Sequence, residues 1–123
     1  MVESFWVVPD PGQIRTPLSI LREQAGALTE QTQGVLVGVV ETAIIGADLN
    51  LIMEISVPAL NDYRVRVLSY KQPVAMYPGR MTIRDQGYSI EDEAAFVDLL
   101  RRTLASDWTR NVLSSLLSQA SET

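Results

Sequence analysis

The chain has 123 residues, 46% of them hydrophobic, and a formal net charge of −5. It is long enough for one domain that buries about two-thirds of its unfolded surface, and too apolar to stay disordered. Its acidic balance argues against non-specific nucleic-acid binding by the molecule as a whole. It contains no cysteine and no histidine. That excludes disulfides, thiol nucleophiles, and Ser-His-Asp or Cys-His catalysis, and it removes the usual zinc ligands. Carboxylate or tyrosine chemistry stays open.

Residues 4–8 are short, apolar and aromatic (Phe5, Trp6, Val7, Val8) and stop at Pro9-Asp10-Pro11-Gly12, a loop signal. They read either as an added edge strand or as an arm whose Trp6 covers the core. Thr16 is then a good N-cap, with Pro17 at the first helical position, where its missing N–H costs nothing. Leu18, Leu21, Ala25 and Leu28 form an apolar stripe at helical spacing, and Gly34 is placed to end the helix in a left-handed conformation. The spacing predicts a helix over residues 17–32, lying across the apolar face of a sheet. Gly26 inside it is read as a point of close packing on that sheet.

The sheet occupies residues 34–83. Residues 34–45 are apolar on both faces (Val35, Leu36, Val37, Val39, Val40), which predicts a central or doubly covered strand. Gly46-Ala47-Asp48 reads as a hairpin turn. Residues 48–57 alternate cleanly, with Leu49, Leu51, Met53, Ile55 and Val57 on one face. Pro58 ends that strand, since it cannot donate to a ladder. A third strand covers 63–70, and a fourth covers 74–83 with an interruption at Tyr77-Pro78-Gly79.

The C-terminal third is helical. Ser89 is an N-cap candidate with Asp92 three residues on, and Glu91, Asp92 and Glu93 put negative charge on the first turn, where the helix dipole favours it. Ser106-Asp107 is a second cap, so the helix breaks there. The whole is an α+β domain: an antiparallel meander of four to five strands, an N-terminal helix packed across it, and one or two C-terminal helices. This order is similar in topology to cystatin-like and related α+β rolls, an analogy that carries no function.

Two features point to possible contacts. The apolar stripe Trp108, Val112, Leu113, Leu116 and Leu117 is left over if one helix covers each face of the sheet. An exposed stripe of that size would meet a partner, a second copy of the chain or another protein. The bland reading is that this helix folds back on its own sheet. Positive charge is the second feature. Arg64, Arg66, Lys71, Arg80 and Arg84 fall in a stretch without an acid, leaving five of the ten bases for the rest of the chain against all 15 acids.

Strand parity puts Arg64, Arg66 and Tyr70 on one face. With Tyr63 and Arg80 they could contact an anion or small ligand, or, less plausibly on the overall charge, a nucleic acid. The bland reading is a solvated face paired with Glu41 and Glu54 on neighbouring strands. Those two glutamates read as surface carboxylates rather than a catalytic pair.

No GxGxxG or GxxxxGK[ST] pattern is present, so no cofactor is expected. No apolar run reaches the roughly 18 residues of a membrane span, and no signal peptide is expected. The sequence therefore favours a non-catalytic cytoplasmic interaction module, homodimeric, of adaptor, chaperone-like or immunity type. The alternative is a small-molecule binder or weak enzyme with a cavity between the first helix and the sheet, contacted by Tyr63, Tyr70, Arg64 and Arg66.

Overall fold

A computed structural model describes residues 2–12 and 14–122. These form α1 (Pro17–Gln31), a five-stranded antiparallel meander and two C-terminal helices, α2 (Glu93–Leu104) and α3 (Asp107–Ala120). The strands are β1 (Val37–Ile45), β2 (Asp48–Val57), β3 (Tyr63–Gln72), β4 (Gly79–Ile83) and β5 (Gln86–Ile90), side by side in chain order. A short 3-10 turn, Pro58–Leu60, joins β2 to β3. The α+β architecture expected from the pattern is the one observed.

The helix ends follow the sequence signals. Thr16 accepts from the Ser19 N–H at 3.1 Å, with Pro17 next, and Gly34 takes a φ of +82° after the helix. Ser106 caps α3 through the Thr109 N–H. For α2 the cap is Asp92, which accepts from the Ala95 N–H at 2.9 Å. Ser89 does not cap it; it lies in β5 opposite Arg80. The hairpin turn is Gly46-Ala47, between the paired Ile45 and Asp48, with positive φ at Gly46 only, as a type II′ turn requires.

All three helices pack on one face of the sheet. Its core joins Ile20, Leu21 and Ala25 of α1 to Leu51, Met53, Ile55 and Val57 of β2, Tyr70 and Met81, then Phe96, Leu100, Leu116 and Ala120. Burying each such large side chain contributes about 1.5–3 kcal/mol. Phe96 stands edge-on to Tyr70, with ring centroids 4.8 Å apart. Among the described residues, the other sheet face carries no helix.

Three expectations are corrected. First, β1 is an edge strand, not a central one. Its inner face is covered by α1 over its first half only, and residues 41–45 are exposed. Second, the close approach between α1 and the sheet is at Gly38, not Gly26. A Cβ on Gly38 would sit 2.3 Å from the Ala25 carbonyl oxygen, whereas one on Gly26 would meet nothing within 4 Å. Third, residues 4–8 form neither a strand nor a core cover: Trp6 is 85% exposed.

Candidate functional site

The bulge in β3 decides where the candidate residues go. Met53 pairs with Leu68 but Glu54 pairs with Arg66, so Val67 is an extra residue on β3. Val67 and Leu68 are consequently both buried, and everything after them changes face. Tyr70 therefore lies opposite Arg64 and Arg66, not beside them. It is fully buried, and its hydroxyl donates to the Met76 carbonyl at 2.7 Å. Burial holds that hydroxyl well above the usual tyrosine range. The parity argument that grouped Tyr70 with the arginines is overturned by this one inserted residue.

Arg64 stays on the bare face, where it reaches back across the sheet. Its Nη1 lies 2.5 Å from Glu41 Oε1 on β1 and 3.4 Å from Glu54 Oε1 on β2. Those bonds, the one to Glu41 foremost, raise the guanidinium pKa. Lys71 sits 3.9 Å from Asp48. Arg80 pairs across β4–β5 with Ser89, its guanidinium lying over Gly87. Arg84 leaves this face altogether: at the β4–β5 turn it stacks on the Trp108 ring, 5.3 Å from the centroid. The basic run is thus split, and its best-placed member is paired with acids, as the solvated-face reading expects.

The α3 stripe folds back on its own sheet. Leu116 is buried in the core, and Val112 and Leu113 pack against it. Thr109 is buried too, its hydroxyl donating to the Thr103 carbonyl at 2.7 Å. Trp108 is half-buried, and of the five only Leu117 is exposed. The stripe is not surplus, because α2 and α3 share the sheet face with α1. What remains is an open groove of about 650 Å³, lined by Leu60, Tyr63 and Val65 and by Trp108, Val112 and Leu116 of α3.

A crevice does lie between α1 and the sheet, lined by Gln24, Gln31, Gly38, Met53 and Val67 among others. Its volume is about 160 Å³, below the roughly 300–1,000 Å³ of small-molecule sites. Tyr63, Tyr70, Arg64 and Arg66 do not line it. Among the described residues, no group of three or more Asp or Glu side chains is placed to hold a metal ion, and no helix is long and apolar enough to cross a membrane.

The feature the sequence reading passed over is one end of the sheet. The strand register puts the β1–β2 hairpin, the β3–β4 loop and the end of β5 together there. α1 runs back toward it. Thr29 Oγ1 accepts from the Gly38 N–H at 3.0 Å, fixing the far end of the helix over the start of β1. Arg15, just before the helix, pairs with Glu23 at 2.9 Å, and this bond, with a smaller contribution from Glu93, raises its guanidinium pKa. Tyr77, in the β3–β4 loop, has its hydroxyl pushed up to about 12, by burial first and then by Glu93 and Asp92.

From Ala25 to Pro17 the helix advances about 12 Å, under four strand residues. Its cover over β1 therefore ends near Thr42, which leaves Ile44 81% exposed. Val74 in the adjoining loop is 97% exposed. The arm leaves from the same end, with Phe5, Trp6, Val7 and Val8 between 82% and 93% exposed. Runs of apolar residues at the arm and at Ala43-Ile44-Ile45 were the available signal. No known family, curated protein or solved structure matches the chain.

Proposed function

We propose that this chain is a non-catalytic, cytoplasmic protein-interaction module that works as a homodimer, an adaptor, chaperone-like or immunity-type factor. One observation supports the reading: large apolar side chains stand almost fully exposed along residues 5–8 and at Ile44 and Val74, the last two at the same end of the sheet. Large exposed apolar surface on a soluble protein commonly marks an interaction site. Of the interface residues expected from the sequence, Trp108 to Leu117 on α3, Leu116 is buried in the core and Trp108, Val112 and Leu113 are half-buried, which favours the hairpin end as the interaction surface in this reading. Sedimentation velocity on the full chain tests the reading. A dimer that dissociates on dilution is expected, and a monomer at about 100 µM would refute it.

A further inference from the structure

We propose that residues 4–8 of one copy add as a sixth strand to the free β1 edge of a second copy, reciprocally, so that two arms close the dimer. This rests on the self-association reading and names its contact. The donor is a segment with strand-forming residues and no sheet. Phe5, Trp6, Val7 and Val8 are aromatic or β-branched, lie in no helix or strand, and are followed by Pro9. The acceptor is a sheet edge with no strand. Among the described residues β1 pairs only with β2, over nine residues in unbroken register.

Natural edges are blunted by proline, by charged side chains, lysine above all, or by bulges. The β1 sequence VGVVETAII has no proline, lysine or arginine, its single charge, Glu41, is paired with Arg64, and its register with β2 shows no bulge. The two pieces also match in length and in sidedness. The exposed part of β1 is its last five residues, and the arm segment 4–8 has five. Ile44 on the helix-side face and Ala43 and Ile45 on the bare face give the last three residues of this edge apolar side chains on both faces. Alternation puts Phe5 and Val7 on one face of the arm and Trp6 and Val8 on the other, so an added strand would cover both.

The area suffices. Two arms bring four aromatic rings, which bury roughly 600–1,000 Å² when covered. The valines and the acceptor edge add to this, so the total passes the roughly 1,000 Å² of a specific interface. An anionic lipid surface fits less well. The register and the start of α2 put Asp48, Glu91, Asp92 and Glu93 at this end with Lys71 and Arg80, while Arg15 is paired with Glu23; acidic surfaces are repelled by such lipids.

The experiment uses the full chain, a deletion of residues 2–8, and Ile44→Asp, each measured alone and mixed by light scattering. Trp108→Phe leaves Trp6 as the single fluorescent tryptophan. The full chain is expected to be a dimer with Trp6 shielded from acrylamide. Each variant should be a monomer with unchanged circular dichroism. Mixing the two should restore a heterodimer, because one contributes an intact arm and the other an intact edge. Its dissociation constant is expected at least tenfold above that of the wild-type dimer.

A dimer that survives removal of residues 2–8 would overturn the arm while leaving self-association standing. So would a pair of variants that fail to complement. A monomeric full chain with Trp6 shielded, the arm folded on its own edge, would overturn both readings. A monomer that binds anionic vesicles would do the same.

Discussion

Replacing Gly38 by alanine tests how α1 sits on the sheet. The new Cβ would lie 2.3, 2.5 and 2.7 Å from the O, Cα and C of Ala25, all backbone atoms that no rotamer change can move. Ordinary contact needs roughly 1 Å more, so α1 must lift from β1. Lifting it strains the packing of Ile20, Leu21 and Ala25, for which overpacking costs about 1–3 kcal/mol. It also weakens the bond between the Gly38 N–H and Thr29 Oγ1, worth about 1 kcal/mol. Against this, Gly38 does not have a positive φ, so alanine gains about 0.4–1 kcal/mol by restricting the unfolded chain. The net loss is about 1–3 kcal/mol, or roughly 3–6 °C in Tm per kcal/mol at this size. Gly26→Ala should act in reverse. It has open space and a helical site, and should stabilise by about 0.5–1 kcal/mol. Urea titrations followed by circular dichroism would read both, with a lowered midpoint at unchanged slope for Gly38→Ala. An unchanged or raised midpoint for Gly38→Ala, or a lowered one for Gly26→Ala, would refute the placement of the helix.

Truncation after Ser106 removes Thr109, Leu116 and Ala120 from the core and should unfold the chain, seen as loss of the cooperative thermal transition; a folded, stable fragment would show that α3 is dispensable. Tyr70→Phe deletes the bond to the Met76 carbonyl and should cost about 1 kcal/mol. Tyr77→Phe removes a buried hydroxyl without a hydrogen-bond partner among the described residues, and should cost little or nothing in the same denaturation assay. Both tyrosines have raised pKa values in the fold, so above about pH 10 the unfolded chain releases their protons first. Stability is full below pH 10 and should fall from there to about pH 12 for Tyr77, with a flat profile counting against their burial. Arg64→Gln breaks exposed pairs with Glu41 and Glu54 and should leave the denaturation midpoint nearly unchanged.

Periodicity and capping made most of this fold legible. The Thr16-Pro17 start, the Gly46 turn, the alternation of β2 and the Ser106 break all sit where the residues place them, because each is decided by neighbours a few positions away. What failed was decided elsewhere. Parity along β3 is a local rule, but one inserted residue resets it, and the doublet Val67-Leu68 inside an alternating strand was the only trace. β5 was passed over because four of its five residues are exposed, leaving Ile90 as its lone buried anchor. The acids before α2 drew the helix start toward Ser89, whereas the cap is Asp92. The candidate site was least legible of all. Whether the α3 stripe is spare depends on how many helices share one sheet face, a property of the assembled fold.

The misplacement of β1 points the other way, toward function. Residues that are apolar on both faces read as central, and by composition that reading was sound. The fold nevertheless puts them at an edge, and ends the covering helix before the strand ends. A local preference at odds with its position is most often found where a surface has work to do. Here two such conflicts occur together. A strand fit for the middle of a sheet lies at its border, and an arm fit for a strand lies in no sheet. Each conflict supplies what the other lacks, and one second copy of the chain would resolve both.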